Sequence, residues 1–315
     1  MIEFFRLIRI GNILMIALAQ CLMYFMVVVP VLTASEFTPS LHIWQFSLIV
    51  LSTALIAAGG YAINDFFDKD IDAANGIRKQ HQFSLRSMKA IYFTCSIAAV
   101  AIGIYLTYGL KLRQYALIYL LTAALLYFYS ASYKRLPLVG NFVIAFLSAI
   151  AVFIPAFADY ELQYAFRDLK LPVANERMYN LRLIIAIAGA YALFAFLISF
   201  VREIIKDIED LEGDKAYGCN TLPVVAGITT AKIVSLLLLS IIFILIIVLQ
   251  IKLQWWDDII TFSYTILFVQ IPLIALGYQL YKSHLKHQFS KASLLSKLIM
   301  LGGICSLPVF YYLGS

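Results

Sequence analysis

Charge is what this chain has least of: Asp, Glu, Lys and Arg make up 13% of its 315 residues, against 63% hydrophobic ones. So small a polar complement cannot coat a water-soluble domain, which excludes a soluble enzyme and describes a polytopic membrane protein. Cysteine is also sparse. Cys21, Cys95, Cys219 and Cys305 stand far apart, with no CxxC and no Cys/His cluster, so neither a disulfide framework nor a zinc site is expected. The opening residues lack a small-residue cleavage site behind a short apolar run, and no removable signal peptide is expected. A net charge of +6 would point to nucleic acid in a soluble domain; here it fits basic cytoplasmic loops, and no nucleic-acid partner is expected.

What the chain has in plenty is long apolar runs. Nine are long enough to cross a bilayer as helices, near residues 9–31, 43–66, 88–108, 113–131, 138–157, 182–202, 229–251, 259–281 and 294–313. The expectation is an all-α, multi-pass protein of the cell membrane with a single transmembrane domain over 1–315. If the N-terminus is cytoplasmic, most of the 24 Lys and Arg fall on that side, which favours an inside N-terminus and an outside C-terminus. The polar stretch 159–180 reads as a solvated outer connector.

The rare charges are not scattered. The second run ends in Asn64-Asp65-Phe66-Phe67-Asp68-Lys69-Asp70-Ile71-Asp72, and the sixth in Arg202-Glu203-Ile204-Ile205-Lys206-Asp207-Ile208-Glu209-Asp210-Leu211-Glu212-Gly213-Asp214. Asp65, Asp68 and Asp72 share a DxxDxxxD spacing with Asp207, Asp210 and Asp214, each offset by 142 residues. Both motifs end even-numbered spans and so face one side, which predicts an internal repeat of four spans. If the helices continue, Asn64, Asp65, Asp68 and Asp72 lie within about 100° of one another, and Asp70 does not. On the second helix Glu203, Asp207, Asp210 and Asp214 share a face, and Glu209 points away. Like charges so spaced repel, and beside a bilayer the cost rises, so a cation is expected among them.

Carboxylates without neighbouring His or Cys suit a hard cation with oxygen ligands, and magnesium commonly bridges carboxylates to substrate phosphates. With Lys134 and Arg135 on the same side, the pattern predicts a diphosphate site. The chemistry that follows is cleavage of a carbon–oxygen bond to diphosphate, leaving an allylic carbocation. Solvated helix caps or headgroup contacts explain one DxxD; they explain a same-sided duplicate far less well. His81, His284 and His287 read as solvated loop residues, and the many Phe and Tyr as packing, with some lining a prenyl tunnel.

The two motifs resemble the signatures of the UbiA superfamily of intramembrane prenyltransferases. The resemblance extends to Arg9-Ile10-Gly11-Asn12, to Tyr129-Ser130 with Tyr133-Lys134, and to Gly140-Asn141. Within it, the run 202–214 followed by Thr221-Leu222-Pro223-Val224 is similar to the branch that prenylates geranylgeranylglyceryl phosphate. The resemblance implies a nine-helix bundle and a magnesium-dependent transfer of a prenyl group, geranylgeranyl in that branch, from its diphosphate to a lipid-soluble acceptor. It assigns two magnesium ions and catalysis to Asp65, Asp68, Asp72, Asp207, Asp210 and Asp214. It assigns the diphosphate to Asn64, Arg78, Lys79, Lys134 and Lys206, and other substrate contacts to Asn12, Tyr129, Tyr133, Asn141 and Arg202. A carboxylate would take the proton of the acceptor hydroxyl, and which one stays open, as does the oligomeric state.

One stretch departs from the family. Where its members commonly read Asn-Arg-Pro-x-Arg-Pro, this chain has Asn75-Gly76-Ile77-Arg78-Lys79-Gln80, without the proline that stiffens the loop. An aromatic prenyltransferase of quinone biosynthesis, with a hydroxynaphthoate or hydroxybenzoate acceptor, is therefore an alternative. A cation transporter is a third reading, opposed by the Lys and Arg around the aspartates.

Overall fold

A computed structural model describes residues 2–34, 37–74, 83–165 and 174–312, with side chains except at 72–74, 164–165 and 174–177. Among the described residues every regular element is a helix. Nine helices are long and apolar enough to span a membrane: α1 (Ile10–Thr33), α2 (Ile43–Phe67), α3 (Leu85–Gly109), α4 (Arg113–Ala131), α5 (Val139–Gln163), α6 (Met178–Glu209), α7 (Leu222–Lys252), α8 (Ile259–Lys282) and α9 (Lys286–Tyr312). All nine expected runs are present. The sequence reading cut α6 short at 202 and began α9 late, at 294, because it stopped where charge appears; its start for α7, 229, falls just past Gly227, whose φ of 84° and ψ of 159° kink that helix one turn after it begins. A helix does not stop at the edge of the apolar layer; its polar end turns keep their backbone bonds beyond it.

Large apolar side chains are exposed to a degree that a water-soluble fold avoids, and some polar ones are buried. Ile97 and Leu121 are more than 60% exposed, whereas Gln20, Ser52, Ser130 and Ser296 are fully buried. Apolar flanks with a polar interior are what hydrocarbon requires of a multi-pass protein.

The chain divides into two compact units, Met1–Tyr133 with Ile150–Ala190, and Lys134–Ala149 with Tyr191–Ser315. In the first, small residues bring helices close: a Cβ at Gly103 of α3 would lie 2.3 Å from the Tyr119 ring of α4. Polar side chains add specific ties. Gln20 donates to Thr53 Oγ1 and to the Ala151 carbonyl, and the buried Asp159 carboxylate accepts from the backbone N–H groups of Ser40 and Leu41. In the second unit Ile198, Ile204, Ile205, Ile242, Leu276, Leu280 and Ile299 are buried together, and Gln250 and Gln270 exchange reciprocal amide bonds. The α8 C-terminus is held by Lys232 Nζ, which donates to the carbonyls of Tyr281 and Ser283.

Candidate active site

The first acidic motif corrects the picture of one continuous helix. α2 ends at Phe67, Asp68 takes φ −89°, ψ −3°, and a separate six-residue helix, Lys69–Ala74, follows. Asp65 and Asp68 therefore precede or form a break that Asp70 and Asp72 follow. Asp65 is buried, and the Arg9 guanidinium donates to its Oδ1 at 3.2 Å. Arg9 itself adopts a left-handed backbone (φ 50°, ψ 55°), uncommon for a residue with a side chain, and stacks over the Tyr61 ring. Asn12 Nδ2 donates to the Tyr61 hydroxyl at 3.1 Å, and Asn64 Nδ2 to Asp68 Oδ2 at 2.7 Å. Asp70, on the short helix past the break, is exposed. The side chain of Asp72, and Arg78 and Lys79 altogether, lie outside the described residues. Tyr133 packs on Phe128, and Tyr129 is half-buried on α4.

The second motif breaks at the corresponding residue. α6 runs through Glu209, Asp210 takes φ −95°, ψ 9°, and the six-residue helix Leu211–Ala216 begins. Asp214 therefore sits on a different helix from Glu203 and Asp207, so a single shared face was too simple. No glycine or proline marks either break, and the DxxDxxxD spacing itself suits an unbroken helix.

Two aspartates of this second motif have a defined hydrogen-bond partner. Asn141 Nδ2, near the start of α5, donates to Asp207 Oδ2 at 2.7 Å, and Thr221 Oγ1 donates to Asp214 Oδ2 at 3.0 Å. Thr221 occupies the N-cap of α7, one residue before a helix with Pro223 in its first turn. It appeared in the sequence only as part of the Thr-Leu-Pro-Val run, without a role. Glu203, also left without one, is buried between the Arg202 guanidinium, which donates to Oε1, and Lys206, whose Nζ is 3.8 Å from Oε2. Glu209 points elsewhere and accepts from Ser290.

The Asn220 N–H donates to the Arg135 carbonyl at 2.8 Å, which fastens the α4–α5 connection to the segment after the second motif. Lys134 thereby comes within electrostatic range of Asp214 and Lys206. Burial drives the titration of the groups beyond the helix ends. It pushes the Asp210 carboxyl up to about 6 against the opposing pull of Lys206. It also raises Asp214, with Thr221 acting in the opposite direction. Burial brings the Lys134 ammonium down to about 7; Cys219 opposes that shift, and the cations of Arg135 and Lys206 add to it.

Within the first unit, then, Asn64 and Asp68 are joined directly, and Asp65 and Asn12 meet the Arg9–Tyr61 pair. Within the second, Lys134, Asn141, Lys206, Asp207, Asp210 and Asp214 form one connected cluster, with Arg202 at its edge through Glu203. Among the described residues no group of three or more His, Cys, Asp or Glu is already gathered to grip a metal. The donor set nonetheless fits magnesium: it is carboxylate and amide oxygen, and the one thiol in range, Cys219, is pushed by burial toward its neutral form.

A model of the UbiA prenyltransferase family matches residues 21–301. The digeranylgeranylglyceryl phosphate synthase of Sulfolobus acidocaldarius is 32% identical over 238 residues, 76% of this chain and 74% of that one. Among solved structures, the apo form of a UbiA homologue from Aeropyrum pernix K1 superposes with a TM-score of 0.62 at 18% identity, over 93% of this chain and 96% of the other. A UbiA homologue from Archaeoglobus fulgidus bound to GPP and Mg2+ gives 0.51 at 16% identity, over 98% and 100%. At these identities the solved structures speak for the fold.

Proposed function

Because the chain belongs to the UbiA prenyltransferase family and is a membrane prenyltransferase, we propose that it transfers a geranylgeranyl group from its diphosphate to the free hydroxyl of geranylgeranylglyceryl phosphate. The observation that carries this reading is the paired acidic motif, in which α2 and α6 both end just before the middle aspartate and a six-residue helix follows it in each. Support for the acceptor comes from the relative named a digeranylgeranylglyceryl phosphate synthase, and for magnesium from the carboxylate-rich donor set and the homologue bound to GPP and Mg2+.

Two magnesium ions would be held by Asp65, Asp68 and Asp72 and by Asp207, Asp210 and Asp214. When bound they would supply positive charge against the diphosphate as it departs. The chain's own groups do the rest. Asn64, Lys134 and Lys206, with Arg78 and Lys79, bind the diphosphate oxygens. Asn141 and Thr221 fix the orientation of the Asp207 and Asp214 carboxylates, and Arg9 fixes Asp65, as hydrogen bonds to ligating groups do elsewhere. The allylic carbon–oxygen bond breaks with its electron pair going to diphosphate, the acceptor oxygen bonds to that carbon, and its proton passes to a carboxylate. The site and the N-terminus face the cytoplasm and the C-terminus faces out, in keeping with the distribution of Lys and Arg.

The test offers purified protein labelled geranylgeranyl diphosphate and magnesium with geranylgeranylglyceryl phosphate or, separately, with a hydroxynaphthoate. The expected product is the doubly alkylated glyceryl phosphate. Transfer to the aromatic acceptor alone would favour the quinone branch. Asp68→Asn and Asp210→Asn are expected to abolish transfer in a folded protein, and full activity in either overturns the reading.

A further inference from the structure

We propose that the α6 face bearing Ser199 and Arg202 is a binding site for an oxyanion of the acceptor, a subsite that sets which acceptor is prenylated. The inference rests on the reading above and adds to it the place where the acceptor head is held.

Buried polar atoms in a membrane protein are nearly always paired, because hydrocarbon offers no alternative partner. Among the described residues only a few buried side-chain atoms lack a hydrogen-bond partner, and two of them, Ser199 Oγ and Arg202 Nε, lie on the same helix three residues apart. That spacing puts them on one face, about 4.5 Å apart along the axis. Ser199 is only 3% exposed. Ser96 of α3 is also unpaired, but Ser52, Ser130, Ser148, Ser235, Ser240, Ser296 and Ser306 of the spans return their hydroxyl to the carbonyl three or four residues back. Ser199 does not.

Arg202 is oriented rather than loose. Its Nη1 donates to Glu203, whose other oxygen faces Lys206, so the guanidinium is held by one edge while Nε–H remains available. Lys206 is shared with the carboxylates of Asp210 and Asp214, so Glu203 is left chiefly to Arg202. A hydroxyl donor and a guanidinium N–H donor on one face call for an oxygen acceptor, and a guanidinium binds an anionic oxygen most strongly.

The depth is also right. Arg202 precedes Asp207 by five residues, about 7.5 Å further into the membrane along α6. An acceptor that keeps its apolar chain in the membrane brings its head to the carboxylates from their membrane side. Phe196 and Phe200 stack beside this stretch, with Phe142 of α5 against Phe196, an apolar wall for the attached chain. The oxyanion is the phosphate in a glyceryl phosphate ether and the carboxylate in an aromatic acid.

The experiment uses the full chain in detergent or nanodiscs. Ser199→Ala removes one donor, and Arg202→Lys removes Nε while keeping the charge beside Glu203. Equilibrium binding of labelled geranylgeranylglyceryl phosphate, of dephosphorylated geranylgeranylglycerol and of a hydroxynaphthoate is measured without donor, and KM for both substrates with it. Each variant is expected to weaken the phosphate acceptor about tenfold, leave the geranylgeranyl diphosphate KM within about twofold, and leave the dephosphorylated acceptor unaffected. If the hydroxynaphthoate alone is weakened, the oxyanion is a carboxylate and the site stands with that occupant. Unchanged binding of both anionic acceptors in Ser199→Ala with an unchanged melting temperature overturns the proposal. Equal weakening of the dephosphorylated acceptor also overturns it, since that is the signature of packing or a water site. Acceptor binding that depends on these residues in a chain that never consumes donor would instead refute the prenyl-transfer reading.

Discussion

Replacing Asn141 by Ala removes the donor 2.7 Å from Asp207 Oδ2 while leaving the carboxylate in place. Asn141 is 5% exposed, so water does not simply substitute for it. A hydrogen bond to a charged group contributes about 1.5–3 kcal/mol, and at about 1.4 kcal/mol per factor of ten this corresponds to roughly 10- to 100-fold in affinity. If the bond holds the carboxylate in its ligating orientation, that loss appears in metal affinity, the range seen when groups supporting metal ligands are removed elsewhere. Titration calorimetry with magnesium, or Mn2+ detected by electron paramagnetic resonance, measures it without reference to catalysis. Asn141→Asp provides a second variant, which adds a like charge and is expected to weaken the site further unless the ion binds the new carboxylate. Metal affinity within about twofold of the parent protein in Asn141→Ala would refute the argument that Asn141 acts through Asp207.

Protons and metal compete for Asp210, whose carboxyl sits at about 6, so magnesium affinity should fall as pH drops through 6. The sign for stability is the reverse. A carboxyl raised above its unfolded value favours the fold below about 4, and that contribution is lost as pH rises through 6, so metal-free melting temperatures should decline over this window and magnesium should restore them. Thr221→Val removes the bond that lowers Asp214, and the acid limb of the pH–activity profile should move upward. Gly103→Ala drives a Cβ into the Tyr119 ring and should destabilise the first unit by about 1–3 kcal/mol, read as a lower melting temperature with unchanged magnesium affinity.

The spans and the two acidic motifs were legible because hydrophobic runs and repeated aspartates are strong patterns against a background so poor in charge. The breaks at Asp68 and Asp210 were not. Nothing in Phe-Asp-Lys or Glu-Asp-Leu carries the mark of a helix stop, and the aspartate spacing itself argues for continuation. Asn141 was readable only through the family resemblance, since its contact with Asp207 joins residues 66 positions apart. Ser199 lies within Leu-Ile-Ser-Phe, a setting no different in sequence from the serines that bond their own helix. What separates it is the direction of one hydroxyl, which no periodicity records.

The helices Lys69–Ala74 and Leu211–Ala216 have six residues each, too few to hold their own shape in water. Their order is lent by what they pack against and by whatever engages the aspartates at their starts. Amide hydrogen exchange should therefore be fast in these two turns and slow in the spans they follow, and it should slow in both turns together when ligand arrives. Two short peptides of the digest, out of the whole chain, would then report whether the site is occupied.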